Sequence, residues 1–328
     1  MHGKIGLEEH FAIQETAEDF LKLLKPDKRA AASRKIIDLM ETRIQEMDKY
    51  GMQMMILSLN SPAIQAIYDR KRAVEVAKKA NDEMAEAVAR KPKRFRGFAA
   101  LPMQDVDEAI KEMHRAVSDL GCVGVLVNGF SNIDDPENYK YLDDPMYRPF
   151  WAELEKTDTP FYMHPRDSMP CNVLQTEGHP WLVGAAWTYG VESAVHTLRL
   201  MCSGLFDEFP KLKYIMGHLG EMLPFTIFRT QSRILRENRG IPAKRPLSEY
   251  MKDNMWFTTS GQFRTQALWN TIMEFSSTRV LFATDYPFED VSEACEWFDS
   301  CTLSETDRYL IGRQNSIDLF HLDNSDGV

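Results

Sequence analysis

Eight short runs of mostly apolar residues alternate with amphipathic segments along the chain. The runs span residues 4–11, 52–60, 94–102, 122–130, 159–165, 212–220, 255–261 and 279–287. Their nearly continuous apolar character is typical of strands that are buried on both faces, as in a parallel sheet. We therefore predict eight parallel strands.

The segments between these runs have the periodicity of amphipathic helices. Residues 34–51, 106–121 and 191–206 are three examples. In the first of them, the apolar face consists of Ile36, Ile37, Met40, Ile44 and Met47. Gly51 is suited to end that helix, because glycine adopts the left-handed conformation common just after a helix. Strands alternating with helices predict a closed (β/α)₈ TIM barrel. A doubly wound open sheet is the alternative, but no glycine-rich phosphate turn follows the first strand.

No linker, repeat or low-complexity segment divides the 328 residues, so we predict a single domain over residues 1–328. Longer insertions are expected near residues 12–33 and 165–190, and a frayed polar tail after residue 322. The composition, 44% hydrophobic and 27% charged, is that of an ordinary globular protein.

The net charge of -10 at pH 7 argues against nucleic acid or anionic membranes as partners, because both require concentrated positive charge. We find no apolar run long enough to span a bilayer. The first apolar segment contains Lys4, Glu8 and Glu9, which is unlike a signal peptide. The five cysteines, Cys122, Cys171, Cys202, Cys295 and Cys301, have no CxxC spacing and suggest reduced thiols in a cytoplasmic protein.

Polar residues recur where the predicted strands end. They are Glu8 and His10 on the first strand, Asn128 on the fourth, His164 on the fifth, His218 with Glu221 on the sixth, and Asp285 on the eighth. In barrels of this type the catalytic residues lie at the C-terminal ends of the strands, so we expect these side chains to meet at one rim. On a strand, alternate residues share a face. Glu8 and His10 should therefore project together, with Glu9 turned away.

Two imidazoles and two carboxylates form a mixed N/O ligand set suited to Mn²⁺, Zn²⁺ or Fe²⁺. No thiolate lies at these positions, which disfavours a structural zinc site. A single histidine at a strand end is more often a satisfied polar residue than a ligand. The joint pattern favours a mononuclear metal site, because unrelated polar residues have no reason to share one end of several strands. The remaining histidines are assigned to solvated faces (His2, His114 and His321), to the core (His196) or to a long loop that could line the pocket (His179).

The whole chain up to residue 322 resembles the metal-dependent decarboxylase branch of the amidohydrolase superfamily. The stretches that carry this resemblance are GKIGLEEHFAI, ILSLNSPAIQAI, LVNGF, PFYMHPR, GLFDEFPKL, MGHLGE, TTSG and LFATDYPFE. Hydrolytic members usually have HxH on the first strand and often a metal-bridging lysine on the fourth. This chain has Glu-x-His and Asn128, which argues for one metal ion and against a binuclear hydrolase.

The resemblance implies that Glu8, His10, His164 and Asp285 bind the metal. It also implies that His218, held by Glu221, assists catalysis and that Asn128 and Arg229 bind substrate. One divalent ion is expected, Mn²⁺ first and Zn²⁺ or Mg²⁺ otherwise. The expected form is a homo-oligomer, a tetramer or a dimer.

The implied activity is that of a carboxy-lyase in aromatic-compound catabolism. It is the non-oxidative, reversible decarboxylation of an ortho-hydroxybenzoate, with 2,6-dihydroxybenzoate giving resorcinol and CO₂ as the first expectation. Asp285 is expected to protonate the carbon that bears the carboxylate. Alternatives are a decarboxylase of 2,3-dihydroxybenzoate or salicylate, a metal-dependent lactone or amide hydrolase, and a barrel that only binds.

Overall fold

The computed structural model describes residues 1–23, 26–169, 176–237 and 239–322. Within this part of the chain the strands are β1 (Lys4–Phe11), β2 (Met52–Leu59), β3 (Phe95–Ala100), β4 (Gly124–Asn128), β5 (Ser131–Ile133), β6 (Asp135–Lys140), β7 (Phe161–His164), β8 (Tyr214–Met216), β9 (Met255–Thr258) and β10 (Val280–Leu281).

The helices of the described residues surround these strands. They are α1 (Gln14–Leu23), α2 (Pro26–Ile37), α3 (Thr42–Tyr50), α4 (Arg70–Arg90), α5 (Val106–Ser118), α6 (Arg148–Lys156), α7 (Thr188–Cys202), α8 (Leu205–Glu208), α9 (Leu223–Arg236), α10 (Leu247–Asn254), α11 (Thr265–Phe275), α12 (Val291–Ser300), α13 (Glu305–Tyr309) and α14 (Asn315–Phe320). None of them has both the length and the apolar character needed to cross a membrane.

The large sheet has the strand order β1-β2-β3-β4-β7-β8-β9-β10, and its neighbouring strands pair in parallel. Its first and last strands meet at a short seam. There Leu7 forms a parallel bridge with Ala283, and its N–H donates to the Phe282 carbonyl at 3.0 Å. The sheet thus closes on itself, which confirms the predicted (β/α)₈ barrel and excludes the doubly wound alternative.

Two apolar layers hold the barrel together. One lies mostly inside the ring of strands and includes Ile5, Met54, Phe98 and Ile215. Helix α14 adds Phe320 to this layer, with its ring 5.5 Å from that of Phe98. The other layer, larger, fills the space between the strands and the outer helices. Burial of these side chains on both faces of the strands explains why the strand sequences are almost continuously apolar.

The predicted helix over residues 34–51 is wrong in its continuity. The chain forms the end of α2 and then α3, with a break at Asp38. The Asp38 carboxylate accepts hydrogen bonds from the N–H groups of Met40, Glu41 and Thr42 at 2.7–2.8 Å. A short acidic side chain competes in this way for backbone donors and starts a new helix. The predicted end is confirmed, since Gly51 has φ 69° and donates to the Met47 carbonyl.

A second difference follows the fourth barrel strand, where the apolar runs predicted no further strands. Strands β5 and β6 form an antiparallel hairpin there. Most barrel strands are also shorter than the apolar runs, and β10 has only two residues. Of the predicted insertions, residues 12–33 contain α1 and the start of α2, whereas residues 170–175 lie outside the described residues. The predicted frayed tail, residues 323–328, also lies outside them.

Candidate metal centre

Strand β1 is irregular where its polar residues begin. Glu8 has φ 59°, and the pairing register with β2 shifts between Gly6 and Glu9. Such a bulge re-aims the side chains that follow it. The Glu9 carboxylate turns to the neighbouring strand end, where it accepts hydrogen bonds from the Thr284 N–H at 3.0 Å and the Thr284 hydroxyl at 2.6 Å. Glu8 and His10 point instead into the mouth of the barrel.

Four predicted side chains converge there. Glu8, His10, His164 and Asp285 are all buried, and each offers one ligand atom within 4.8 Å of the others. His164 Nε2 lies 3.3 Å from Glu8 Oε1, and His10 Nε2 lies 3.3 Å from Asp285 Oδ1. The two imidazole rings meet edge to face with centroids 4.5 Å apart. Residues from three distant strand ends thus share one small volume.

In each of the two β1 side chains, one polar atom is hydrogen-bonded and the other is not. Glu8 Oε2 accepts from the hydroxyls of Tyr162 and of Thr258. His10 Nδ1 lies 3.0 Å from the Ser58 hydroxyl. In the described part of the chain, Glu8 Oε1 and His10 Nε2 are buried without a hydrogen-bond partner. Orphaned buried oxygen and nitrogen atoms, fixed by supporting hydroxyls, fit a divalent ion bound through N and O ligands.

The protonation states also suit metal binding. Burial alone would raise the pKa of Glu8, but the charge on His218 and the close approach of His164 outweigh it, so this pKa lies well below its ordinary value. Burial, and then the neighbouring His10, lower the pKa of His164. An ionised carboxylate and a neutral imidazole are the forms that coordinate metals.

His218 lies beside this set, in the 3₁₀ turn that follows β8. Its Nδ1–H donates to Glu221 Oε1 at 2.7 Å, and its Nε2 lies 3.8 Å from Asp285 Oδ2. Burial alone would lower the pKa of His218, but the charges of Glu221 and Glu8 raise it well above the ordinary value. For Asp285, burial alone would raise the pKa, but the neighbouring imidazoles of His10 and His218 outweigh it, so the pKa of Asp285 lies below its ordinary value. The pair is therefore an imidazolium beside a carboxylate.

The backbone at these positions is strained. Glu8, His218, Glu221 and Asp285 all have φ between 52° and 64°, a region that residues other than glycine rarely adopt. Such strain persists where the surroundings over-determine it, and it clusters at functional sites. Gly261 faces the same point with φ 59°, and a Cβ on it would lie 3.2 Å from His218 Cδ2.

A cavity of about 450 Å³ opens onto this centre. Its lining includes His164, His218, Glu221 and Asp285, together with the ring of Phe288. It is also lined by three titratable side chains that sequence reasoning missed, namely Asp167, Tyr189 and Glu289. A larger surface hollow of about 770 Å³ lies between the end of β1 and α4, and none of the predicted site residues lines it.

The two predicted substrate residues lie in different places. Asn128 is buried at the end of β4, paired in register with His164. Its Nδ2 donates to the Asn60 carbonyl at 3.3 Å, and its Oδ1 has no partner among the described residues. Arg229 is exposed on α9 and does not line the cavity of its own chain.

The remaining histidines lie apart from the four converging side chains. His196 is fully buried and its Nε2 accepts from the Leu142 N–H at 2.9 Å, as expected for a core residue. His114 and His321 pair with surface carboxylates, and His2 is exposed. His179 is exposed and does not line the cavity. Cys122, Cys202, Cys295 and Cys301 are free thiols, and Cys171 lies outside the described residues.

Sequence reasoning also missed the hydroxyls that hold Glu8. Tyr162 lies two residues before His164 on β7. Thr258 ends β9, the next barrel strand but one, and Ser260 follows it by two residues. The Thr258 hydroxyl lies 2.8 Å from that of Ser260, which in turn accepts from the His218 N–H at 3.1 Å. The period of two along a strand was the signal that could have found them, because it points these side chains to the same interior face as the ligands.

Comparison with known proteins gives a consistent result. The amidohydrolase family model matches residues 17–322. The gamma-resorcylate decarboxylase of Rhizobium radiobacter is 50% identical over 325 residues, which cover 98% of this chain and 99% of that protein. A crystal structure of 2,6-dihydroxybenzoate decarboxylase with bound 2,6-dihydroxybenzoate superposes with a TM-score of 0.96 at 49% identity and covers 98% of this chain and 100% of that one. The dihydroxybenzoic acid decarboxylase of a Polaromonas species, solved with manganese and the inhibitor 2-nitroresorcinol, has a TM-score of 0.96 at 47% identity and covers 98% of each chain.

Proposed function

The chain belongs to the amidohydrolase family, and we propose that it is a metal-dependent carboxy-lyase that converts 2,6-dihydroxybenzoate to resorcinol and CO₂. The observation that carries the proposal is the buried convergence of Glu8, His10, His164 and Asp285 at one rim of the barrel. The similarity to decarboxylases of this acid, which extends over nearly the whole chain, supports the same conclusion.

These four side chains are the proposed ligands of one divalent ion, with Mn²⁺ as the first choice because a relative contains manganese. Zn²⁺ and Mg²⁺ are the other candidates. When bound, the ion supplies a Lewis acid that can hold the phenolate and carboxylate oxygens of an ortho-hydroxybenzoate and fix its orientation.

The chemistry requires a proton at the ring carbon that carries the carboxylate. Direct loss of CO₂ would leave an aryl anion in the ring plane, whereas prior protonation makes this carbon tetrahedral and allows the C–C bond to align with the π-system. In the proposed mechanism the Asp285 carboxylate first takes up a proton from the His218 imidazolium and then delivers it to this carbon. His218 lies 3.8 Å away and keeps its own proton because of Glu221 and Glu8, so it is suited to resupply Asp285.

Asp285→Asn tests the proposed acid. The variant should lower kcat by about a thousandfold, within the range expected for loss of a general acid, while it retains some substrate binding. Single-turnover kinetics and a substrate-binding titration on metal-loaded protein separate the two effects. Turnover at the wild-type rate would remove Asp285 from this role.

A substrate role for Arg229 requires a second copy of the chain, because the side chain does not line its own cavity. Arg229 lies on the same exposed face as Phe225 and Phe228, which are 85% and 58% exposed, and the neighbouring α11 adds Met273 at 80%. Aromatic and arginine side chains are enriched at protein interfaces. The proposed homo-oligomer, a dimer or tetramer, therefore uses this apolar face of α9 and α11, which light scattering of Phe225→Ser against wild type can test.

We also propose that the protein is cytoplasmic. This location is supported by the four free thiols and by the absence of disulfides among the described residues.

The activity is tested by stripping the metal and adding back Mn²⁺, Zn²⁺ or Mg²⁺ before assays of CO₂ release. The substrates are 2,6-dihydroxybenzoate, 2,3-dihydroxybenzoate and salicylate, and a lactone panel tests for hydrolysis. We expect metal-dependent, oxygen-independent CO₂ release that is fastest with 2,6-dihydroxybenzoate and reverses in high bicarbonate. Lactone hydrolysis without decarboxylation would replace this function with that of a hydrolase.

A further inference from the structure

The cavity at the metal centre is larger than a single metal-bound ring requires. Its volume is about 450 Å³, while a cavity of roughly 150 Å³ is enough to hold benzene. Besides the predicted catalytic residues, its wall includes the carboxylate of Asp167 and the hydroxyl of Tyr189. These two side chains have no part in the mechanism described above.

Asp167 follows the metal-site histidine by three residues and is partly buried. Its carboxylate forms neither a hydrogen bond nor an ion pair with any residue of the described part of the chain. Burial raises its pKa, and the charge of Arg166 offsets this only in part. A half-buried carboxylate without a donor is costly, so a hydrogen-bond donor at this place would be favourable.

The adjacent Arg166 is committed elsewhere. Its Nη1 donates to the carbonyls of Gln65 at 3.1 Å and Phe130 at 2.7 Å, and its guanidinium lies 4.1 Å from the centre of the Phe130 ring. Gly129 allows this position, since a Cβ there would lie 2.8 Å from Arg166 Cγ. Arg166 does not line the cavity, so its guanidinium leaves the Asp167 carboxylate open to a ligand.

Tyr189, near the start of α7, lies close to the charged groups of Asp167 and Arg166. Burial, then the charges of Asp167 and Asp285, raise the pKa of its hydroxyl. The group therefore stays protonated and is a donor. It too has no hydrogen-bond partner in the described ranges.

We propose that Asp167 and Tyr189 determine the ring substitution of the substrate by binding the hydroxyl that the metal does not hold, at C6 of 2,6-dihydroxybenzoate. A hydroxyl both donates and accepts, so it can donate to Asp167 and accept from Tyr189. This inference rests on the proposed decarboxylase function and deepens it.

The chemistry makes the pair selective in two ways. An anionic benzoate without the second hydroxyl brings a negative charge near Asp167 and offers no donor, and a site built around a hydroxyl rejects analogues that lack it. In 2,6-dihydroxybenzoate the C6 hydroxyl otherwise bonds to the substrate's own carboxylate and holds it in the ring plane. An acceptor in the protein releases this internal bond and frees the carboxylate to leave the plane.

The test compares kcat/KM for 2,6-dihydroxybenzoate with kcat/KM for 2-hydroxy-6-methylbenzoate and salicylate. If one of these acids is not converted, it is tested as an inhibitor of 2,6-dihydroxybenzoate turnover, and its inhibition constant is compared between variants instead. Asp167→Ala should reduce the preference for 2,6-dihydroxybenzoate by roughly 10- to 100-fold, the effect of losing a hydrogen bond to a charged group. Asp167→Asn, which keeps an acceptor, should restore part of this preference, and Tyr189→Phe should reduce it by about tenfold or less.

Glu289→Gln is the matched control. Glu289 is another partly buried cavity carboxylate, whose pKa burial also raises, but it follows Asp285 in the chain. Its substitution should change all three acids by a similar factor. The inference is overturned if Asp167→Ala leaves the preference unchanged, or if Glu289→Gln reduces it as strongly.

Metal content and circular dichroism of each variant establish folding. The nearly isosteric Tyr189→Phe carries the test if Asp167→Ala does not fold, and an unchanged preference in it then overturns the inference. Failure of the two proposals is distinguishable. Wild type inactive on all three acids removes the decarboxylase function and this inference with it, whereas active wild type with unaltered preference in the variants removes only the inference.

Discussion

The two ends of strand β1 are both buried and polar, yet their polar atoms are used differently. At the start of the strand, Lys4 Nζ donates to the Met1 carbonyl at 2.5 Å and lies 2.9 Å from an Asp299 oxygen. At its end, Glu8 Oε1 and His10 Nε2 form no hydrogen bond with any of the described residues. One rim of the barrel uses its charges to tie the chain together, and the other keeps ligand atoms available. The division between a stabilising rim and a reactive rim is characteristic of this fold.

Of the substitutions that test this difference between the rims, Glu8→Gln should have the largest effect on metal affinity and activity. The substitution removes the charge of a proposed ligand. Substitution of a residue that only supports a ligand typically lowers metal affinity or activity about 10–100-fold, so loss of the ligand itself should have a larger effect. We therefore expect more than about a 100-fold loss of both. Metal titration and CO₂ release measure them, and urea unfolding shows whether the fold survives. Full metal affinity in this variant would contradict the division between the rims.

His218→Asn should have a smaller effect on the same rim. His218 is not among the four proposed ligands, so metal content should stay at the wild-type level. Without its proton the rate should fall by about 100-fold, at the low end for acid–base catalysis. Elemental analysis and kcat for the same preparation check both statements. Loss of metal in parallel with activity would instead place His218 among the ligands.

Asp299→Asn should affect the opposite rim alone. The Lys4 side chain is fully buried, whereas that of Asp299 is 35% exposed. Because solvent screens the pair, breaking it should lower the free energy of unfolding by less than breaking a fully buried pair would. We expect the free energy of unfolding to fall by about 2 kcal/mol, with kcat/KM within about twofold of wild type. Urea unfolding and steady-state kinetics measure these quantities. A large loss of activity at unchanged stability would contradict the comparison.

The smallest effect at neutral pH is expected for His196→Gln, a substitution of a buried core residue on α7. Burial, then the charge of Arg199, lower the pKa of His196 to about 3. Because this pKa is below that of the unfolded chain, its stabilising contribution is complete above about pH 6.5 and is lost as the pH falls toward 3. Between pH 7 and 5 the wild type should lose about 2 kcal/mol through this group, and the variant should not. Unfolding titrations at both pH values provide the measurement, and equal slopes would contradict a neutral His196.

The sequence predicted the barrel and the positions of Glu8, His10, His164 and Asp285 because apolar runs mark strand positions and a polar residue at a strand end stands out. It could not predict the bulge at Glu8, since a backbone with positive φ at a glutamate results from tertiary contacts. The break at Asp38 was obscured by the apolar periodicity on both sides of it. Asp167 escaped notice because it lies in a loop, which has no periodicity that indicates where its side chains point. Tyr189 is in the first turn of α7, just before the segment predicted as a helix, residues 191–206.

The seam that closes the barrel joins β1 to the segment after β10 through the Leu7–Ala283 bridge. Glu8 and His10 lie on one side of it, and Asp285 lies on the other. An ion held by all three would crosslink the first and last strands where the backbone pairing is shortest. Loading of the ion and the integrity of the cylinder are therefore thermodynamically linked, and the enzyme's shelf life should depend on the metal content of its storage buffer.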